Sequence, residues 1–262
     1  CTDSTATNYN SLANTDDGNC NYATSSTTDV TACDSYSWNG TTYDISGTYS
    51  YAGVNNNYSM SFDGQNSYIE VANSNYIEIG SSDFSIQFWL KTGDQNRAHL
   101  ISKSIGSGQQ NPTNEAWYFV HLTNSGRIEY EITDGYSYSG DYSSATSTSS
   151  VNDNDWHHVA IVFDRDLDGS IYIDGILDVS SSISNHSGSL NNGYNLEIGV
   201  DLDLGVHYLS GALDNIQIWN KTLTQQEIQS YMSCPPTGSE SDLVGYWNFE
   251  EGSGNIVYDQ TS

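Results

Sequence analysis

Between residues 58 and 219, apolar side chains recur at every second position in short runs bounded by Gly, Asn, Asp and Ser. Such alternation buries one face of an antiparallel strand and leaves the other to solvent. Runs at 58–62 and 67–71 flank Asp63-Gly64-Gln65-Asn66, and in 84–90 the residues Phe84, Ile86, Phe88 and Leu90 share one face. Runs at 117–122 and 127–133 surround Asn124-Ser125-Gly126 and predict a hairpin. In its second strand Ile128, Tyr130 and Ile132 face one way, and Glu129 and Glu131 the other. The run 156–163 is apolar on both faces, which predicts a central strand covered on both sides. Strands at 170–173 and 176–179 meet at Asp174-Gly175, a dipeptide that tolerates positive φ. Further strands are expected at 195–199 and 211–219. One helix is predicted at 225–232, opened by Thr224 with Glu227 at capping-box spacing. Many strands and one short helix near the C-terminal end predict an all-β protein, an antiparallel jelly-roll β-sandwich.

The flanks read differently. Residues 1–57 contain only Leu12, Val30, Ile45 and Val54 from the Ile, Leu, Val and Phe set, too few for a core of their own. We expect a Cys-stapled N-terminal arm over 1–57, a sandwich over 58–234, and an extension over 235–262 that adds a strand or begins a further domain. A Cys1–Cys20 disulfide would close a loop within the arm, worth about 3 kcal/mol in the chain-entropy model. Cys33 with Cys234 would tie the arm to the end of the main domain, and a cysteine beyond Ser262 is the alternative partner for Cys234. Disulfides imply an oxidising, extracellular setting. A start at Cys1 and a stop after a strand-like run suggest a processed chain or an excerpt of a longer one.

Composition narrows the function. Asp and Glu number 33 against 6 Lys and Arg, a formal charge of −27, which argues against nucleic acid and anionic membranes as partners. No stretch has the roughly 20 apolar residues that a spanning helix needs. Ile, Leu, Val and Phe make up just under one fifth of the chain, close to a disordered composition, but 20 Tyr and 6 Trp argue for order. So negative a surface attracts divalent cations and suits a calcium-rich exterior.

Three groups of motifs carry resemblances. The stretch from Cys1 to Cys20, ending Asp16-Asp17-Gly18-Asn19-Cys20, resembles short Cys-bounded repeats between domains of large secreted bacterial proteins. The stretch from Cys33 to Tyr49 resembles another spacer repeat of bacterial surface proteins. Asp155-Trp156-His157-His158-Val159-Ala160, followed by Ser170-Ile171-Tyr172-Ile173-Asp174-Gly175, resembles the laminin-G-like, concanavalin-A-like jelly rolls. Residues 59–64 with 67–71 resemble the opening strands of that family, and residues 211–220 with Leu223-Thr224 its closing strand and helix. The resemblance spans about residues 58–232. It implies the fold, but the fold hosts lectins, adhesion domains and polysaccharide-cleaving enzymes alike.

The resemblance further implies a structural Ca²⁺ at one rim, for which Asp63, Asp201, Asp203 and Asp214 are the candidate ligands. Asp164-Arg165-Asp166-Leu167-Asp168-Gly169 has calcium-loop spacing, but Gly175 stands where a bidentate Glu is required, so an acidic hairpin turn is the simpler reading. His157 and His158 are adjacent on a strand and point to opposite faces. His121, His186 and His207 lie far apart in sequence without ligand spacing, which argues against zinc. Glu129 and Glu131 are paired as a glycosidase would need, but the three-carboxylate pattern of related enzymes is absent, and Arg127 on the same face suggests a surface charge ladder. Polar, Gly-rich, aromatic stretches at 104–115, 134–142 and 185–194 suit binding loops. There Tyr136, Tyr138 and Tyr142 offer stacking surfaces for sugar rings, with Asp134, Asp141 and Asn111 as hydroxyl partners.

The expectation is a non-catalytic extracellular module, secreted or at the cell surface, that binds a glycan or a surface protein. A structural building block of a filament or adhesin stalk, joined to copies of itself through the arm, is the alternative. A polysaccharide-cleaving enzyme comes third.

Overall fold

The computed structural model describes residues 58–104, 116–135, 142–201 and 207–261, and the backbone alone of 36–38 and 41–43. The chain divides into two compact units, Cys1–Tyr51 and Ala52–Ser262. In the first, β1 (Tyr36–Trp38) and β2 (Thr41–Tyr43) pair antiparallel, with Asn-Gly between them in the sequence, a dipeptide favoured in two-residue turns.

The second unit contains β3 (Met60–Asp63), β4 (Ile69–Val71), β5 (Phe84–Thr92), β6 (Ala98–Lys103), β7 (Trp117–Leu122), β8 (Arg127–Thr133), β9 (Ser143–Ser150), β10 (Trp156–Phe163), β11 (Asp168–Ile173), β12 (Ile176–Ser182), β13 (Leu196–Ile198) and β14 (Ser210–Trp219). The helix α1 (Gln225–Ser233) and β15 (Leu243–Trp247) follow. Among the described residues of this unit the strands form two antiparallel sheets. A seven-stranded sheet runs β12-β11-β10-β5-β14-β15, with β3 also paired to β14, and a six-stranded sheet runs β4-β13-β6-β7-β8-β9. Two facing antiparallel sheets with one short helix make the jelly-roll sandwich that the alternation predicts.

The core lies between the sheets and uses the expected faces. Phe84, Ile86, Phe88 and Leu90 of β5 are fully buried, as are Ile128, Tyr130 and Ile132 of β8. Phe84 stacks on Phe163 at 4.3 Å, and Tyr130 meets Phe163 edge-on at 5.1 Å. The doubly apolar β10 has a cover on each side. Val159, Ile161 and Phe163 enter the main core, while Ala160 and Val162 join Trp219, Leu223, Ile228, Leu243 and Tyr246 in a second cluster. Ile228 is the buried residue of α1, so the helix lies over the outer side of the seven-stranded sheet. Its capping box is complete: the Thr224 hydroxyl accepts from the Glu227 N–H, and the Glu227 carboxylate accepts from the Thr224 N–H. From the extension, β15 joins β14, and Trp247 and Phe249 enter the main core.

At the β11–β12 turn both Asp174 and Gly175 have positive φ, 52° and 74°. A Cβ at 175 would stand 2.9 Å from Gln229 Cγ, so this turn also needs glycine to seat the helix. The acidic segment 164–169 is a tight turn closed by Leu167 N–H to Asp164 O and Asp164 N–H to Asp168 O, both at 3.0 Å. Alternation does not predict β6 or β9. The β6 strand carries His99, Ser102 and Lys103, all buried, and its register shifts between His99 and Ile101, which breaks the period of two. In β9, Ala145 is the one apolar side chain, and pairing with β8 makes the strand.

Candidate functional site

On the six-stranded sheet, the face turned away from the sandwich interior gathers a compact polar and aromatic group. Strand register builds it: His99 lies opposite His121, His121 opposite Glu129, and Glu129 opposite Thr146. One row over, Ser102, Phe119, Glu131 and Ser144 are successive partners. These side chains are two residues apart on β7, β8 and β9, and three apart on β6 across its register shift, so they share the face opposite Tyr118, Val120, Tyr130 and Ile132. His207, from the segment leading into β14, stacks on His99 at 5.6 Å with planes 6° apart, and His99 stacks on His121 at 5.5 Å. The His99 N–H donates to the His207 carbonyl at 3.0 Å and ties the two backbones together.

Carboxylates border this imidazole row at both ends. His121 Nε2–H donates to Glu129 Oε2 at 3.0 Å, and Arg97 donates to Glu131 at 3.3 Å. The partner of Glu131 is therefore Arg97 from before β6, and not the Arg127 that a charge ladder along β8 required. Asp201 Oδ2 lies 3.8 Å from His99 Nε2, beyond hydrogen-bond length. His99 is 0% exposed, and neither ring nitrogen has a hydrogen-bond partner among the described residues. Burial, with the nearby His121, Arg97 and His207 charges, pushes the His99 pKa down to about 2, and burial likewise lowers that of His207. The hydrogen bond from His121 lowers the Glu129 pKa, whereas burial raises that of Glu131. Among the described residues, two groups of three converge well enough to share an ion: His99, Asp201 and His207, and His121, Glu129 and Glu131.

Next to this polar row lies an aromatic group that runs from the buried Phe119 through half-buried Trp117 to the exposed Tyr142. Trp117 stacks on Phe119 at 4.5 Å and lies 5.8 Å from Tyr142, which is 46% exposed. Tyr142, singled out from the sequence, thus has a partner in Trp117 that sequence reasoning missed. The signal was available in the alternation of Trp117, Phe119 and His121, but their face is defined only once Tyr118 and Val120 are known to be core. A shallow open cleft of about 520 Å³ elsewhere, lined by Lys91, Asp94, Asn154 and Ser210 among others, has no aromatic wall.

The remaining candidates have other roles or lie outside the described residues. The Asp63 carboxylate accepts the N–H groups of Gln65, Asn66 and Ser67 at 2.9 to 3.1 Å, closing the β3–β4 turn. Asp214 accepts from the Asn215 N–H at 2.7 Å. Among the described residues neither belongs to a converging ligand group; Asp201 does. Asp134 accepts from the Gly188 N–H at 2.8 Å and from His186 Nδ1 at 3.4 Å, so it anchors the 185–190 segment. Tyr136, Tyr138, Asp141, Asn111, Asp203, Cys1, Cys20 and Cys33 lie outside the described residues, and with them the pairing of Cys234. His157 is held between Asp174 and Asp153 at 2.9 and 3.1 Å, while His158 is buried edge-on to Trp89. The premise that the histidines are scattered holds for His186, which sits by Asp134 and Arg165, but not for His121 and His207.

Comparison with known proteins agrees with this architecture. Residues 63–229 match a laminin G family model described as the concanavalin A-like lectin/glucanases superfamily. The non-toxic nonhemagglutinin type E of Clostridium botulinum is 32% identical over 133 residues, 50% of this chain and 10% of that protein. A candidate carbohydrate binding protein from Bacteroides ovatus superposes with a TM-score of 0.55 at 14% identity, over 77% of this chain and 54% of that one. The heptameric SAP-like pentraxin of Limulus polyphemus superposes with a TM-score of 0.53 at 14% identity, over 77% of this chain and 91% of that one. The matched stretch thus spans a tenth of the clostridial protein and about half of the Bacteroides one. With the family match running from the end of β3 into α1, the chain belongs to the concanavalin A-like lectin/glucanases superfamily.

Proposed function

We propose that this chain is a non-catalytic binding module of an extracellular protein, and that it takes a carbohydrate on the outer face of β7, β8 and β9. The observation that carries this reading is the exposed Tyr142 set against Trp117, with the polar side chains of Glu131, Arg97 and Ser144 alongside. A sugar ring presents an apolar face for stacking and hydroxyls for hydrogen bonds, and this surface offers both. The carbohydrate binding named for the Bacteroides neighbour supports the same class of ligand. The acidic, Lys-poor composition supports an extracellular setting.

The test is a glycan and polysaccharide array probed with the whole chain, in millimolar calcium and again in chelator. Wild-type binding to a defined glycan, lost in Tyr142→Ala, supports the reading, and its dependence on calcium tests the expected ion. Failure to bind in both conditions would leave self-assembly through the N-terminal arm as the leading account.

One observation favours an enzyme as the second reading. The opposed shifts of Glu129 and Glu131 resemble those of an acid and base pair. However, both carboxylates project from one strand and are held by His121 and Arg97, rather than flanking a gap for a scissile bond. Release of reducing ends from polysaccharides, abolished by Glu131→Gln, would establish the enzyme and overturn the non-catalytic reading.

A further inference from the structure

We infer that His99, Asp201 and His207 form a binding site for a divalent transition-metal ion of the zinc class. The inference rests on their geometry and does not depend on the carbohydrate reading. The three come from different parts of the chain, His99 from β6, Asp201 just after β13 and His207 ahead of β14, and the backbone holds them in place. Gly199 N–H donates to Leu100 O at 3.1 Å, Leu209 N–H to Gly199 O at 2.9 Å, and His99 N–H to His207 O at 3.0 Å.

The candidate ligand atoms of the three residues all lie within 4.8 Å of one another. His99 Nε2 and Asp201 Oδ2 are 3.8 Å apart, too far for a hydrogen bond. Two ligands about 2.1 Å from one tetrahedral ion lie about 3.4 Å apart, so a small side-chain movement closes this set around a metal. The second observation is the state of His99. A fully buried imidazole with no hydrogen-bond partner on either nitrogen is costly, and among the described residues His207 Nδ1 is buried without a partner as well. A shared ion would give each ring a partner on one nitrogen.

The donor set selects the metal. Two imidazoles and a carboxylate suit zinc and its neighbours, whereas calcium takes oxygen ligands and would leave the imidazoles unused. Three protein ligands also leave a fourth position open. The neighbouring group of His121, Glu129 and Glu131 is less suited, because His121 already donates to Glu129 and the Arg97 cation occupies Glu131.

The experiment is a Zn²⁺ titration of the untagged full chain, stripped with chelator and dialysed, in high salt with excess Ca²⁺ to suppress binding to surface carboxylates. Co²⁺ serves as the spectroscopic probe. We expect one equivalent of Zn²⁺ per chain, visible ligand-field bands with Co²⁺, and a rise in melting temperature on adding Zn²⁺. In His207→Gln and Asp201→Asn, affinity should fall at least tenfold and the Co²⁺ bands should disappear, with the circular dichroism spectrum of the metal-free protein unchanged. His157→Gln should retain one equivalent. Failure of the wild type to bind more Zn²⁺ than the His207→Gln/Asp201→Asn double variant would overturn the site. So would loss of the Co²⁺ bands in His157→Gln, or their survival in His207→Gln.

Discussion

The Asp178 carboxylate of β12 is hydrogen-bonded to Thr148 of β9, joining the edge strands of the two sheets. It accepts the Thr148 N–H, the Thr148 hydroxyl at 3.0 Å and the Ser149 N–H at 3.1 Å. Burial opposes the charge on Asp178, but the bonds from Ser149 and Thr148 outweigh it and lower its pKa. A carboxyl with a lowered folded-state pKa contributes stability above its unfolded pKa and loses it as the pH falls through the folded value. Asp178→Asn is therefore expected to cost about 1 kcal/mol at neutral pH and to flatten the loss of stability below about pH 4. Urea denaturation at several pH values checks both.

A second carboxylate interaction is buried. Lys103 Nζ donates to Tyr194 O at 2.7 Å, Asn73 Oδ1 at 3.0 Å, and Glu78 Oε1 and Asn192 Oδ1 at 3.2 Å. This one ammonium fastens the 73–78 and 192–194 segments to β6. Lys103→Met leaves Glu78 charged in a confined site, and should cost about 3 kcal/mol. Lys103→Met with Glu78→Gln should recover part of that loss, and chemical denaturation of both variants measures the coupling.

His157 behaves in the opposite sense to Asp178. Burial acts to lower its pKa, but its bonds to Asp174 and Asp153 raise it above the ordinary histidine value. The charged form thus contributes stability that is fully present below the unfolded histidine pKa and lost as the pH rises through the folded one. NMR titration should show His157 titrating above pH 6.5, the ordinary histidine value. Thermal melts of His157→Gln should lack the corresponding decline between neutral and mildly alkaline pH.

The stacking surface can be tested without disturbing the core. Tyr142 is exposed and precedes β9, so Tyr142→Ala should leave the melting temperature within about 1 °C and weaken glycan binding at least tenfold. Tyr142→Phe, which keeps the ring, should retain most of the affinity. Isothermal titration with the glycan identified on the array gives both values.

The strands with clean alternation were legible in the sequence because their burial is decided locally. Phe84, Ile86, Phe88 and Leu90 occupy one face whatever their neighbours are, and the capping box at Thr224 and Glu227 involves four consecutive residues. The same local chemistry marked Asp174-Gly175 as a turn, and the apolar character of 156–163 signalled a cover on each side before α1 was seen to provide one of them.

Tertiary structure alone decided the site. His99, His121 and His207 are distant in sequence, and they form one stack only because β6 pairs with β7 and the chain before β14 crosses back beside β6. No local pattern could assign β9, whose single apolar residue is Ala145, or tell that Glu131 pairs with Arg97 rather than Arg127. The physical reason is that alternation reports which side chains leave water, a property each strand carries by itself. Which polar groups meet on the opposite face depends on strand order and register, and these are set by the packing of the whole sandwich.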